Sequence, residues 1–193
     1  VAGVDTDAAK VAALDQEGQG LDVRGVETIG ELVQLLDRPR AIVVLVPAGG
    51  PVDAVIEEAL PHLQEGDVLV DGGNSHFTDT DRRIAELDAK GVGFMGIGVS
   101  GGEEGARHGA SIMPGGRRDF YDRIETTLQA VSAKVNGEPC VAYMGSGSAG
   151  HFVKMVHNGI EYGMMQLLAE TYDFMQRVLR MANTELHRTF TDW

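Results

Sequence analysis

Short apolar runs alternate with helical patterns along the first part of the chain. Residues 1–4 read as a strand ending at Asp5, and residues 8–14 as a short helix. Thr28 stands where an N-cap is wanted for a helix reaching Leu36, because its hydroxyl can accept from a main-chain N–H of the first turn. Residues 41–46 are continuously apolar, the pattern of a parallel strand covered on both faces. Gly49-Gly50-Pro51 then breaks the chain and opens a helix to about His62, with Pro51 in its first turn. Residues 67–70 read as a strand, Gly72-Gly73-Asn74-Ser75 as a loop, residues 79–89 as a polar-faced helix and residues 92–97 as another strand.

This alternation, with short connections, predicts an α/β fold: a doubly wound, mostly parallel sheet. Ligands of such sheets sit at the carboxyl ends of the strands. The loops after Asp5, Val46, Asp71 and Gly98 all lie at such ends. From Gly147 onward the character changes. Proline is absent after Gly150, and apolar residues recur at helical spacing from Phe152 to Met181. A helix of about 30 residues is longer than usual and suits the start of an all-helical domain. Asn183 begins a further helix toward Trp193. The predicted division is residues 1–147 for the α/β part and residues 148–193 for the helical part.

On the long helix Lys154, His157, Asn158, Glu161 and Tyr162 stand at i, i+3, i+4, i+7 and i+8. At about 100° per residue they share one face. Val153, Val156, Ile160 and Met164 are left for packing. Gly159 and Gly163 each cost about 1 kcal/mol in a helix interior, and close approach of another backbone is the expected compensation. A solvated face with Lys–Glu support is the plain alternative. The chemical alternative is acid/base work: a Lys beside cations or partly desolvated loses its proton near neutral pH, and a Glu in an apolar pocket keeps one.

Two glycine-rich segments follow strands. In residues 98–107 the small side chains let main-chain N–H groups approach an anionic or hydroxylated ligand; an ordinary turn is the alternative. In Asp71-Gly72-Gly73-Asn74-Ser75 the Asn amide can hold two ligands at once, or simply form the turn. Gly145-Ser146-Gly147-Ser148-Ala149-Gly150 has G-x-G-x-x-G spacing. It precedes the long helix, and no acidic strand end follows about 20 residues later, so it reads as a loop and helix start.

Composition narrows the partners. A net charge of -13 argues against nucleic acid, which needs clustered cations, but leaves room for a small anionic substrate. Cys140 is the only cysteine, so there is neither a disulfide framework nor a cysteine metal knuckle. A cytoplasmic protein is the simple expectation. No stretch reaches the roughly 18 apolar residues of a membrane span.

Taken together, three segments resemble the 6-phosphogluconate dehydrogenase family. They are Asp71-Gly-Gly-Asn-Ser-His76, then Val99-Ser-Gly-Gly-Glu-Glu-Gly-Ala-Arg107 with Met113-Pro-Gly-Gly116, and His151-Phe-Val-Lys-Met-Val-His-Asn-Gly-Ile-Glu-Tyr162. The related 3-hydroxyisobutyrate-type dehydrogenases share the Ser-Gly-Gly loop and a helix Lys followed by Asn, without the His-Asn-Gly-Ile-Glu-Tyr run. The resemblance implies a Rossmann-type NAD(P)-binding domain followed by an all-α domain. It implies oxidative decarboxylation of 6-phosphogluconate to ribulose 5-phosphate, by a homo-oligomer. In that scheme Lys154 is the base on the C3 hydroxyl and Glu161 the acid that protonates C1 of the enediol. Ser100, Gly101 and Gly102 hold the carboxylate end and hydroxyls. His157 and Asn158 bind sugar hydroxyls, and Tyr162 binds the phosphate. Asn74 touches cofactor and substrate, and Val46, Pro47 and Ala48 line the cofactor.

The chain also departs from the family pattern. It begins at what matches the family's second strand, without the first strand and its glycine-rich turn, and ends near the start of the helical domain. A piece of that extent is expected to be inactive alone. Where NADP-using members carry Asn-Arg-Thr, this chain carries Asp5-Thr6-Asp7. A carboxylate there accepts from a ribose 2′-hydroxyl and repels a 2′-phosphate, which predicts a preference for NAD. A sister dehydrogenase of another β-hydroxy acid and a non-catalytic binding remnant are the alternative readings.

Overall fold

A computed structural model describes all 193 residues. The contacts divide the chain into two units, Val1–Lys154 and Met155–Trp193.

In the first unit, strand β1 (Ala2–Val4) leads into helix α1 (Ala8–Glu17) and strand β2 (Arg24–Val26), which pairs in parallel with β1. Helix α2 (Ile29–Leu35) starts with a full capping box: Thr28 Oγ1 accepts from Glu31 N, and the Glu31 carboxylate accepts from Thr28 N. Strand β3 (Ala41–Val44) is followed by α3 (Gly50–Ala59), a 3-10 turn (Leu60–His62) and β4 (Val68–Asp71). Then come α4 (Phe77–Asp88), β5 (Gly93–Ser100), α5 (Gly102–His108), β6 (Ser111–Gly115) and α6 (Arg118–Val131). A small antiparallel pair, β7 (Lys134–Val135) and β8 (Glu138–Pro139), precedes the long helix α7 (Ala149–Arg177).

The main sheet has the order β3-β4-β5-β6. Its first three strands are parallel, and β6 closes the edge antiparallel to β5. Pro114 lies in β6; the far side of β6 meets residues 140–145 only through isolated bridges, with the Pro114 carbonyl accepting from Met144 N, so the missing N–H interrupts no continuous ladder there. Strands β1 and β2 form a separate sheet.

The α/β expectation therefore holds, with helices on both faces. Leu69 and Phe94 point into one core with Val52, Ile56 and Leu87. Val68, Val70, Met95 and Ile97 point into another with Phe120, Ile124 and Leu128 of α6. This is the period-2 alternation of strands buried on both sides.

The segment expected to be a glycine loop over 98–107 is instead the end of β5 and helix α5. Gly101 and Gly102, both at positive φ, allow the chain to turn directly from strand to helix.

The second unit contains the rest of α7 and helix α8 (Asn183–Asp192). The residues expected to pack there are exposed: Val156, Ile160 and Met164 lie open. Within this unit only α8 is available to cover α7, and it buries little beyond its own Leu186. Nothing lies within 4 Å of a Cβ built on Gly159 or Gly163, so no backbone approaches them. The close approaches to α7 fall instead at Gly96, Gly98 and Gly150. No helix is long and apolar enough to cross a membrane.

Candidate active site

Helix α4, read from sequence as polar-faced, carries the residues that tie the candidate loops of the first unit together. Asp71, the last residue of β4, is fully buried. Its carboxylate accepts from Gly73 N at 3.0 Å and from Ser75 Oγ at 2.6 Å, shaping the turn that presents Asn74. Asn74 itself is exposed.

Arg83 of α4 is also fully buried. Its Nε donates to Asp53 Oδ1 at 2.8 Å, its NH2 to the Gly49 carbonyl at 3.0 Å, and its NH1 lies 3.6 Å from Asp71 Oδ2. One guanidinium thus links the loop after β4 to the loop after β3, where Val46, Pro47 and Ala48 stand. The Arg83 hydrogen bond holds the Asp53 carboxyl down to about 2, with Arg82 helping.

The start of α7 sits directly on the sheet because glycines leave room. A Cβ on Gly98 would lie 2.5 Å from Lys154 Cβ, and one on Gly96 would lie 2.6 Å from His151 Nδ1. A Cβ on Gly150 would collide with the carbonyl oxygens of Gly96 and Met113. Asp81 of α4 accepts from Ser148 N at 3.1 Å just before the helix. Within the first unit, then, the structure brings Lys154 over β5, two residues before Ser100. Lys154 is half-buried, Ser100 is half-buried, and Gly101 and Gly102 are exposed.

In the second unit His157 and Asn158 are half-buried, whereas Glu161 and Tyr162 are exposed. Glu161 Oε2 lies 3.7 Å from His157 Nδ1, one turn away, an ion pair only when the ring carries a proton. The Lys–Glu support of the plain reading does not form, since Lys154 and Glu161 are seven residues apart rather than four.

At the end of β1, Asp5 Oδ1 accepts from Asp7 N at 2.9 Å and Oδ2 lies 3.4 Å from Lys10 Nζ. The main-chain bond first, and Lys10 after it, hold the Asp5 carboxyl below its ordinary range. Asp7 Oδ1 accepts from Ala9 N and caps α1. Thr6 is exposed between them.

Three residues of this network escaped the sequence reading: Thr80, Arg83 and His151. Thr80, Arg83 and Leu87 stand at i, i+3 and i+7, the buried stripe of α4, and that spacing was the available signal.

Residues 1–147 match the profile of the NAD binding domain of 6-phosphogluconate dehydrogenase, and residues 150–193 match its C-terminal domain. The chain belongs to the 6-phosphogluconate dehydrogenase family. The decarboxylating 6-phosphogluconate dehydrogenase of Synechococcus elongatus is 51% identical over 94% of this chain. The NADP(+)-dependent enzyme of Bacillus subtilis is 52% identical over 92%, and the human enzyme 52% over 93%. The chain spans 39%, 38% and 38% of the length of these three relatives. A 6-phosphogluconate dehydrogenase of Plasmodium falciparum, solved in apo, NADP+ and 6-phosphogluconate forms, superposes with a TM-score of 0.91. It is 40% identical, over all of this chain and 42% of its own. A 3-hydroxyisobutyrate dehydrogenase of Mycobacterium tuberculosis superposes over all of this chain and 62% of its own, with a TM-score of 0.82 at 20% identity. It shares the fold.

Proposed function

We propose that the protein carrying this chain oxidatively decarboxylates 6-phosphogluconate to ribulose 5-phosphate, working as a homo-oligomer. The run from Lys154 to Tyr162 carries this reading, since it holds a base, an acid and hydroxyl and phosphate partners in one helical segment. A nicotinamide cofactor supplies the hydride acceptor when bound. Lys154 takes the proton from the C3 hydroxyl as hydride leaves C3. The lysine, now protonated, returns that proton to the 3-keto oxygen as the electrons of the C1–C2 bond are drawn in and CO2 departs, leaving an enediol. Glu161 then delivers a proton to the carbon that lost CO2 while Lys154 takes the proton back from the enediol hydroxyl, which becomes the ketone. Asn74, Ser100, Gly101 and Gly102 hold the carboxylate end and hydroxyls, with His157 and Asn158 on further hydroxyls and Tyr162 on the phosphate.

The residues at the end of β1 fit the adenosine ribose of NAD. Asp5 is held ionised with oxygen surface still open to solvent, so it accepts from a 2′-hydroxyl and repels a 2′-phosphate. Val46, Pro47 and Ala48 line the same cofactor from the loop after β3.

The test is kinetic. The protein encoded by the complete reading frame is assayed on 6-phosphogluconate with NAD and with NADP, and on 3-hydroxyisobutyrate. Turnover of 6-phosphogluconate with the higher kcat/KM for NAD is expected. Preference for NADP would remove the cofactor reading, and preference for 3-hydroxyisobutyrate the substrate reading.

A further inference from the structure

His151 and Thr80 are both buried, 71 residues apart in sequence, with Thr80 Oγ1 2.7 Å from His151 Nδ1. The other acceptor near the threonine hydroxyl, the His76 carbonyl, is 3.4 Å away. The bond forms with either neutral tautomer: with the proton on Nε2 the Thr80 hydroxyl donates to Nδ1, and with the proton on Nδ1 the ring donates to Thr80, whose hydroxyl then turns to the His76 carbonyl. Burial pushes the His151 ring down from its usual range and so favours the neutral form. Nε2 has no hydrogen-bond partner. The main-chain oxygens of Asp71 and Gly73 are nonetheless close enough to favour a proton on the ring, and Gly73 immediately precedes Asn74.

The position of this pair is what gives it consequence. His151 sits over Gly96 and Lys154 over Gly98. Two residues of a strand on one face are about 6.7 Å apart, and three residues of a helix rise about 4.5 Å. The first turn of α7 therefore runs along β5, and whatever fixes His151 also fixes the next turn, where Lys154 stands.

We propose that the Thr80–His151 hydrogen bond is a positioning latch: it sets the register of α7 on β5 and so the placement of Lys154 relative to the Asn74 loop. This rests on the reading of Lys154 as the base. His151 and Thr80 touch no substrate in this scheme.

A pair of substitutions separates hydrogen bonding from packing. Thr80→Val keeps the volume, including the methyl that packs near Gly96, and deletes the hydroxyl. Thr80→Ser keeps the hydroxyl and deletes the methyl. In the protein encoded by the complete reading frame, Thr80→Val should lower kcat on 6-phosphogluconate by about tenfold to a hundredfold, as misplacement of a catalytic group does, with the cofactor KM unchanged. Thr80→Ser should retain kcat close to wild type. The reverse order, or losses in both that merely follow the folded fraction, would overturn the latch. The ring 15N resonances of His151 in wild type and Thr80→Val test it without turnover: a shift of the Nδ1 resonance on loss of the hydroxyl is expected, and an Nδ1 resonance unchanged by Thr80→Val overturns it. A wild-type protein inert toward 6-phosphogluconate would remove the proposed function, while the Nδ1 comparison would still decide the hydrogen bond.

Discussion

The Asp53 carboxylate and the Arg83 guanidinium meet at 2.8 Å, with the arginine wholly buried and the carboxylate about one-third exposed. Arg82 reaches the same oxygen from outside at 2.9 Å. The folded-state pKa of Asp53 is about 2, below the ordinary 3.8. A depressed carboxyl stabilises the fold above its unfolded pKa and loses that stabilisation as pH falls through the folded value. After allowance for solvent screening, the contribution is on the order of 1 kcal/mol at neutral pH. Urea unfolding of Asp53→Asn should therefore show a deficit of that order at pH 7, shrinking between about pH 4 and pH 2. A deficit constant across that window would contradict the pairing.

Two helical glycines should respond oppositely to alanine. A methyl on Gly150 would strike the main chain of Gly96, Met113 and Gly115, none of which is a flexible side-chain end. Gly150→Ala should cost about 3 kcal/mol or more, at the upper end of overpacking losses. Gly159 has open space around its Cβ position. In the 193-residue chain Gly159→Ala should raise stability by about 0.5–1 kcal/mol through helix propensity and a less free unfolded chain. Thermal melts of the two variants read this directly.

The contrast also shows how much of the fold was legible beforehand. The 3.6-residue period and the absence of proline marked α7, and the Thr28 cap marked α2, because both signals are local. Where α7 meets the sheet was not local. Gly159 and Gly163 drew attention as costly residues inside a helix, yet the close contacts belong to Gly96, Gly98 and Gly150, which sit in or beside ordinary strand and turn sequence. Strand β6 went unread because Pro114 argues against a strand, and only its one-sided ladder with β5 resolves that. Helix α6 also went unread, although Phe120, Ile124 and Leu128, its buried stripe, stand at i, i+4 and i+8. Of the candidate site, the chemical residues were visible as motifs. The buried Thr80, Arg83 and His151 were not, because each gains its meaning from a partner at least 30 residues away.

Removing the cap of α2 isolates a single local interaction. Thr28→Ala deletes the acceptor for Glu31 N and leaves only the other half of the box, the main-chain N–H of residue 28 on the Glu31 carboxylate. A loss of about 1 kcal/mol is expected in urea titration. A change below a few tenths would mean that the exposed end of α2 is held by its buried Ile29, Leu32 and Val33 alone.

Lys154 bears the central claim, and its removal tests that claim most directly. NAD(P)H and CO2 formed from 6-phosphogluconate are measured together for wild type and Lys154→Met, in the protein encoded by the complete reading frame. Wild type should form the two products in equal amounts. Lys154→Met should form neither, while binding cofactor with unchanged affinity. Wild-type-like turnover by Lys154→Met would contradict the account.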